Sequence, residues 1–258
     1  MIKTPLVTVI ITHHLSDNEK YLTLCLESLM MSEGVDFEAI CLSDADTMPA
    51  VPEGVRLVWN RDLSTATKKA HHGITLAHPG SKYFLFLSDD VMVSKHMLSE
   101  MVGATADLAI IMNPMSNNDN ESHFFTNMAI PHPNGKVITL GHQMDYEDLK
   151  GSEHLIQNLA PRPPILIPVH YVCFYCTLIP RAVWNMVGQL DERLEVRHND
   201  QDYCIRAKKH GVMSMVHLGV FALHFGSKTL PKVLKPGESE AASEHFYQKH
   251  PNQPRAFK

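Results

Sequence analysis

The sequence predicts an α/β fold with a mostly parallel, twisted sheet that helices cover on both faces. Two observations lead to this prediction. The first half of the chain alternates between short apolar runs and segments with helical periodicity, and such alternation requires crossover connections between parallel strands. The apolar runs are also continuous, as in strands that are buried on both faces. The second half of the chain is less regular.

Five strands are predicted in the first half from apolar runs that are rich in β-branched and aromatic residues. These runs are residues 6–11 (LVTVII), 37–42 (FEAICL), 55–59 (VRLVW), 83–87 (YFLFL) and 108–113 (LAIIMN). The first of them is entirely apolar apart from one threonine, which is expected for a central strand.

Three segments between these strands have one apolar side and therefore predict helices. In the first segment (NEKYLTLCLESLMM) the apolar side consists of Leu22, Cys25, Leu26, Leu29 and Met30. The second segment spans residues 63–77, and its apolar side consists of Ala66, Ala70, Ile74 and Ala77. Ser94 is expected to cap the third helix.

The second half predicts fewer elements. Residues 171–179 (YVCFYCTLI) are expected to form a buried strand, and RAVWNMVG a short helix that ends at Gly188. Residues 199–211 open with acids and close with basic residues, which favours a helix. The segment VMSMVHLGVFALHF predicts one or two strands, and the tail ESEAASEHFYQKH a final helix.

Length and composition fit a single globular domain and exclude several classes of protein. The 258 residues carry a net charge of −5, which gives no basic field for nucleic acid or for an anionic membrane. Five scattered cysteines do not form a disulfide framework, and the single C-x-x-C, Cys173 to Cys176, lacks the second pair of a zinc site. No apolar run approaches ~18 residues, so we expect a soluble, cytoplasmic chain without signal peptide or integral membrane segment.

Polar segments follow four of the predicted strands. They are residues 12–14 (THH), 43–47 (SDADT), 60–62 (NRD) and 88–90 (SDD). The carboxyl ends of parallel strands meet at one edge of a sheet, and ligands of such sheets bind at that edge. The carboxylates are therefore expected where a ligand would lie.

Paired aspartates suggest a divalent cation. They occur at positions 44/46, 89/90 and 200/202, and His224 follows the apolar run GVFAL. Mg²⁺ and Mn²⁺ prefer oxygen ligands and bridge phosphates, and Mn²⁺ also accepts imidazole. One carboxylate and one histidine would leave coordination positions for a diphosphate.

Seven short motifs follow one another along the chain: VTVIITHHL, CLSDADT, KAHHGI, FLFLSDD, GQLDE, NDQDYCIR and ALHFGSKT. In this order and spacing they resemble the GT-A fold glycosyltransferases, and specifically the large inverting family that uses nucleotide-diphosphate sugars. The resemblance covers roughly residues 5–250. It implies one Rossmann-like GT-A domain over residues 1–258, with a nucleotide-sugar-binding half (1–113), an acceptor-binding and catalytic half (114–230) and a tail helix (231–258).

The resemblance also implies a function. The chain would move a sugar, as a hexosyltransferase does, from a nucleotide-diphosphate sugar to an acceptor hydroxyl, with UDP as the expected nucleotide and Mn²⁺ or Mg²⁺ as the cofactor. Thr12 and His14 match positions that cradle the base. Asp44 matches the acceptor of the uracil N3–H, and Asp89 matches the residue that binds the ribose.

The remaining site residues concern the metal and the chemistry. Asp90 and His224 match the metal ligands, and Asp200 matches the general base that takes the proton of the acceptor. Asp200 is expected at a helix N-terminus, where the helix dipole would lower its pKa. His13 is interpreted as structural or pocket-lining, and Trp184 as a core residue.

Several positions depart from the motifs of the family. Ser43 and Ser88 stand where the motifs have aspartate, His71 replaces an asparagine, Asn199 replaces a glutamate, and His14 replaces an aromatic residue. A catalytically silent sugar-nucleotide-binding protein is therefore one alternative. A nucleotidyltransferase is another, but it would need a glycine-rich basic loop after the first strand, and THHLSDNEK has no glycine. The acceptor stays open between a glycan, a protein and a modified nucleic-acid base.

Overall fold

Nine strands form one mixed, mostly parallel sheet in the computed structural model. The structure describes residues 4–106, 108–117, 129–131, 137–140, 145–195, 197–226, 228 and 235–253. The strands run in the order β3-β2-β1-β4-β10-β6-β11-β5, and β9 also pairs with β11. Two further strands, β7 and β8, pair with each other.

The strand boundaries are close to the predicted ones in the first half of the chain. The strands are β1 Val7–His13, β2 Phe37–Ser43, β3 Val55–Trp59, β4 Tyr83–Ser88, β5 Val91–Val93, β6 Ile110–Ser116, β7 Ala129–Pro131, β8 Val137–Thr139, β9 Leu166–Val169, β10 Cys176–Pro180 and β11 Met213–His224.

Eight α-helices lie in the described residues. They are α1 Glu19–Met30, α2 Ala66–Leu76, α3 Met97–Ala104, α4 Tyr146–Leu149, α5 Glu153–Gln157, α6 Arg181–Val187, α7 Asn199–Lys209 and α8 Glu238–Lys249. The last of them confirms a helix in the tail, and Gly188 ends α6 with a φ of 86°, as predicted. No helix in this part of the chain is long and apolar enough to cross a membrane.

The first four strands of the sheet order are parallel and in register. Strand β1 pairs with β2 on one side and with β4 on the other, and β2 pairs with β3. His13 lies opposite Ser43, and Thr12 lies opposite Ser88. The four polar segments after β1, β2, β3 and β4 therefore meet at one edge of the sheet, as the sequence predicts.

The second half of the sheet is built around two antiparallel insertions. Strand β10 lies between β4 and β6 and is antiparallel to both. Strand β5 follows Asp90 directly and runs antiparallel to the end of β11, with Val91 opposite His224. This short strand was not predicted, and it brings His224 to the edge where Asp89 and Asp90 lie.

Helices cover both faces of the sheet because successive residues of its strands point to opposite sides. Val9 and Ile11 of β1 pack with α1 and α3, whereas Ile10 between them packs with α2, α6 and α7. Both clusters contain fully buried side chains.

Three predictions on local structure need correction. Helix α2 begins at Ala66 rather than at residue 63, and its buried residues are Thr67, Lys69, Ala70 and Gly73, while Ala66, Ile74 and Ala77 are only partly buried. Ser94 does not cap α3, whose N-cap is His96. The segment 171–179 is a strand only from Cys176 onward, because residues 173–175 form a turn.

Candidate functional site

Asp90 and His224 face each other at the edge of the sheet where the carboxyl ends of β1, β2 and β4 lie. The Nε2 of His224 lies 3.1 Å from Oδ1 of Asp90, and both side chains are nearly buried. The side chain of Asn117 holds the backbone of His224 by accepting from its N–H and donating to its carbonyl. Burial alone would raise the pKa of Asp90, but His224 and the backbone N–H of Lys228 hold it below its usual range.

The ring of Tyr175 supports His224 from one side. The two rings are parallel within 8°, with their centroids 5.1 Å apart. The Tyr175 hydroxyl donates to the carbonyl of Pro114 at 2.9 Å, so the ring that supports His224 is itself fixed. Tyr175 is 3% exposed, and the sequence does not predict its contact with His224.

The pair fits two ligands of one divalent cation. Adjacent ligands of an octahedral ion with bonds of roughly 2.1 Å lie about 3 Å apart, close to the distance observed between Asp90 and His224. An oxygen and an imidazole nitrogen form a donor set that suits Mn²⁺. In the described part of the chain, no group of three or more His, Cys, Asp or Glu side chains converges on one point. The pair alone would thus leave most coordination positions to other ligands.

Asp89 contacts His13, which the sequence predicts to be structural or pocket-lining. The Nδ1 of His13 lies 2.6 Å from Oδ2 of Asp89, and His13 is fully buried. An ionised carboxylate only accepts, so Nδ1 must carry the hydrogen. Among the described residues, Nε2 of His13 has no hydrogen-bond partner. Asp89 is 3% exposed, and Oδ1 is the oxygen that His13 does not contact.

Asp44 lies in a cluster with Lys69 and His14. Its Oδ1 is 2.6 Å from Nζ of Lys69 and 3.1 Å from Nδ1 of His14, and Nζ of Lys69 is 2.7 Å from the same His14 nitrogen. Burial would raise the pKa of Asp44, but His14 and Lys69 hold it below its usual range. Burial lowers the pKa of Lys69 to about 8, although Asp44 opposes this shift. Thr12, partly exposed near the end of β1, lies beside this cluster in sequence.

Asp200 lies in the first turn of α7, as predicted, and is partly exposed. Its Oδ1 accepts from the backbone N–H of Gln201 at 2.7 Å. The prediction that the pKa of Asp200 is lowered is wrong, although the N–H groups at the helix end act in the predicted direction. Burial raises the pKa of Asp200, and the N–H of Gln201 and a hydrogen bond with Cys173 offset only part of that shift. Removal of the carboxylate from water outweighs the helix end.

The turn at residues 173–175 links Asp200 to His224. Cys173 interacts with Asp200, Tyr175 stacks on His224, and the N–H of Tyr175 donates to the carbonyl of Cys173 at 2.9 Å. Within the described residues, no hydrogen bond or ion pair joins Asp200 directly to the other predicted site residues. The sequence predicts a strand at this turn, so it gives no signal for the link.

Asp202 has a structural position. It is fully buried and contacts two cationic side chains and one imidazole, each at 2.8 Å: Arg206, Lys249 and His250. Lys249 is the last residue of α8 and His250 follows it, so the contacts of Asp202 connect the end of α8 to α7. Asp200 and Asp202 therefore differ in position: Asp200 contacts Cys173 in the turn at residues 173–175, and Asp202 holds two helices together.

Comparison with known proteins adds evidence on the fold. No protein-family profile matches the chain, and no curated protein matches its sequence. Among solved structures, the chain is similar to GalNAc-T7 with UDP, GalNAc and Mn²⁺, at a TM-score of 0.61 and 9% identity. The match covers 97% of this chain and 51% of that one, so the chain spans about half the length of the solved protein.

The fold is GT-A-like. The mixed α/β domain and its nine-stranded sheet agree with this structural likeness. At 9% identity the likeness concerns the fold alone, and the roles of individual residues depend on the geometry described above.

The sequence does not predict Lys69 as a residue of the candidate site. In the resemblance to the glycosyltransferases it stands where the helix motif A-x-N-x-G has its alanine. A lysine at a position normally occupied by a small residue, four positions before Gly73 on the buried side of the helix, needs a buried partner. That mismatch is the sequence signal for a buried partner, since a buried lysine is normally paired, and the structure shows that this partner is Asp44.

Proposed function

We propose that the chain is a glycosyltransferase that moves a hexosyl group from a nucleotide-diphosphate sugar to an acceptor hydroxyl, with inversion at the anomeric carbon. The observation that carries this proposal is the facing pair Asp90 and His224 at the ligand-binding edge of a GT-A-like sheet. Residues 1–113 would bind the donor, residues 114–230 the acceptor, and residues 231–258 include the tail helix. The structural likeness to GalNAc-T7 with UDP, GalNAc and Mn²⁺ supports the proposal.

Residues at the ends of β1, β2 and β4 would hold the nucleotide, with UDP as the first candidate. Thr12 and His14 would flank the base, and Asp44 would accept from its ring N–H. Asp89 would accept from a ribose hydroxyl through the oxygen that His13 leaves. Thr12 lies near the end of β1, and the other three residues follow β1, β2 and β4, which supports their acting on one ligand.

Asp90 and His224 would hold a divalent cation, either Mn²⁺ or Mg²⁺. When bound, the cation would supply positive charge beside the diphosphate that leaves. Tyr175 and Asn117 keep His224 in place for this role, by ring stacking and by two backbone hydrogen bonds. Asp90 keeps its charge at neutral pH because its pKa is lowered.

Asp200 would act as the general base. Its carboxylate takes the proton of the acceptor hydroxyl while the acceptor oxygen bonds to the anomeric carbon. The bond from that carbon to the phosphate oxygen breaks, and its electron pair leaves with the nucleoside diphosphate. A single displacement of this kind inverts the anomeric centre. The raised pKa makes Asp200 a stronger base than an ordinary aspartate.

A catalytically silent sugar-nucleotide-binding protein is the second candidate. It is favoured by Ser43, Ser88 and Asn199, which stand where the motifs of the family that the sequence resembles have acidic residues. Calorimetry would separate the two candidates, because a silent protein would bind a nucleotide sugar without releasing nucleoside diphosphate in the presence of any acceptor.

The test is a turnover assay with a panel of nucleotide sugars and acceptors. Release of nucleoside diphosphate is measured with Mn²⁺, with Mg²⁺ and with chelator. Asp200→Asn is expected to lower kcat by about 10²–10⁴-fold, which is the usual contribution of a general base. Asp90→Ala and His224→Ala are expected to abolish the response to added metal. Asp36→Asn, an exposed aspartate before β2 at the opposite edge of the sheet, serves as the control.

Two outcomes would contradict the assignments. Acceptor-dependent turnover that survives in Asp200→Asn would remove the general base. A metal response that survives in both Asp90→Ala and His224→Ala would remove the metal ligands.

A further inference from the structure

Lys69 is fully buried although it carries an ionisable amine. Its Nζ lies 2.6 Å from Oδ1 of Asp44, and its side chain has no exposed surface. A lysine is rarely buried unless it is paired, because the unpaired charge would lose its hydration. The position of Lys69 therefore depends on Asp44, and Asp44 lies at the end of β2 where the proposed donor would bind.

Helix α2 lies unusually close to the sheet beside Lys69. A Cβ at Gly73, one turn further along the helix, would come within 2.7 Å of Cγ2 of Ile10 and 3.2 Å of Cδ1 of Leu42. These residues belong to β1 and β2, so the glycine lets α2 contact both strands. This approach places the Lys69 amine at the ends of those strands, against Asp44 and His14.

The contacts of Lys69 fix which oxygen of Asp44 a ligand can use. Both Lys69 and His14 approach Oδ1. Asp44 keeps 16% of its side chain exposed, whereas Lys69 is inaccessible. A ligand at this edge of the sheet therefore meets the carboxylate of Asp44 and not the amine that neutralises it.

We propose that Lys69 is a positioning residue for base recognition, which holds Asp44 ionised and turned so that Oδ2 accepts from a ring N–H of the nucleobase. The proposal rests on the proposed function. It predicts that the site binds a base with a neutral N–H group in its ring, such as uracil. Cytosine presents a lone pair at the same ring position, and an ionised carboxylate repels it.

The charges of Lys69 and Asp44 agree with this role. Burial lowers the pKa of Lys69 to about 8, so the amine is still mostly protonated at pH 7. The pKa of Asp44 is held below its usual range by His14 and Lys69. At neutral pH the two groups thus form an ion pair, and the carboxylate is available as an acceptor.

The experiment compares the binding of UDP and CDP at pH 7 in the presence of Mn²⁺, by calorimetry. These nucleotides differ only at the edge of the base where Asp44 is expected to bind. Wild type is expected to bind UDP at least tenfold more tightly than CDP. Lys69→Met is expected to weaken UDP binding at least tenfold and to reduce the preference for UDP to within threefold.

The neighbouring Lys68→Met is the matched control. Lys68 is partly exposed, and its amine contacts Ser64 at 3.4 Å, so this substitution should change neither the affinity nor the preference more than twofold. Thermal unfolding of each variant checks that it is folded. Lys69→Gln, which keeps an N–H donor without the charge, is expected to shift the preference in the same direction.

Three outcomes would overturn the proposal. Equal binding of UDP and CDP by wild type contradicts it without any variant. An unchanged preference in folded Lys69→Met or Lys69→Gln removes the role of Lys69 and leaves the proposed function intact. Absence of nucleoside diphosphate binding by wild type, tested also with GDP and ADP, overturns the proposed function and this inference together.

Discussion

Asp200 and Asp202 are two residues apart on α7 and have opposite surroundings. Asp200 is partly exposed and lies against the turn at residues 173–175, and burial raises its pKa. Asp202 is fully buried among Arg206, Lys249 and His250, which hold its pKa below the usual range although burial opposes them. The two carboxyl groups therefore predict different responses to pH.

The raised pKa of Asp200 predicts how kcat depends on pH on the acidic side of the pH profile. A general base works only when it is ionised, so kcat should rise with pH through the pKa of Asp200. We expect the midpoint of this rise to lie above 3.8, the ordinary value for an aspartate. Initial rates from pH 4 to pH 8, with circular dichroism to confirm folding, measure it. A flat profile across that range in a folded protein would contradict the assignment.

The surroundings of Asp202 predict its contribution to stability. Asp202→Asn should lower the free energy of unfolding at pH 7 by about 3 kcal/mol, because it leaves partly buried cations without their carboxylate. A lowered pKa in the folded state gives stability that is present above the unfolded value of about 3.9 and is lost as pH falls through the folded value. The difference between variant and wild type should therefore shrink below about pH 4.

Urea denaturation at pH 7 and pH 3 measures this difference. Asp46→Asn is the control, since Asp46 is 91% exposed and its contact with Arg61 is 3.4 Å. Its cost should stay below about 1 kcal/mol. Equal costs for the two substitutions would show that the buried cluster does not stabilise the protein.

The positions of the acidic residues of the site can be predicted from the sequence, whereas the residues that contact them cannot. Asp44, Asp89 and Asp90 follow strands whose ends are recognisable, so their place at the edge of the sheet can be predicted. Their partners Lys69 and His13 come from a helix face and from a strand end, and only the packing of α2 and β4 against β1 brings them close. Long-range contacts of this kind have no local signal.

Gly73 in α2 and Gly103 in α3 differ in the space that is available for a side chain. Gly73→Ala should lower the free energy of unfolding by about 1–3 kcal/mol, because the new methyl group meets Ile10 at 2.7 Å. Gly103→Ala in α3 meets nothing within 4 Å and should stabilise the protein by up to about 1 kcal/mol through helix propensity. Thermal or urea unfolding compares them. A stabilising Gly73→Ala would show that α2 can move away from the sheet at little cost.

At the scale of elements, the alternating strands and helices of the first half were predictable because each strand is continuously apolar. The strands β5 and β10 were harder to place. Strand β5 has three residues and no periodicity, and the five residues before β10 are as apolar as the strand itself. A turn held by hydrogen bonds to Asn113 and Tyr175 replaces the strand there, and only the neighbouring elements determine it.

For the molecule as a whole, burial predicts the reactivity of the five free cysteines. Cys173 is partly exposed, and the other four are buried: Cys25, Cys41, Cys176 and Cys204. Burial raises the pKa of Cys41 and of Cys204 to about 12, and unreactive thiols are expected there. Iodoacetamide should therefore label Cys173 in the folded protein and all five after denaturation. Mass spectrometry of labelled peptides checks this, and early labelling of Cys25 would contradict the packing of α1.

The position of β10 between β4 and β6 has a consequence for biosynthesis. Strand β4 ends at Ser88, but its neighbour β10 is complete only at Pro180, so 92 residues (180 − 88) must be made between them. At ~5–20 residues per second this interval lasts about 5–20 s. During that time the nascent chain has one edge of β4 unpaired, and one edge of β6 as well once Ser116 has been made, at what becomes the middle of the sheet. The ribosome-bound chain therefore exposes unpaired strand edges, which can pair with other chains until β10 has been made.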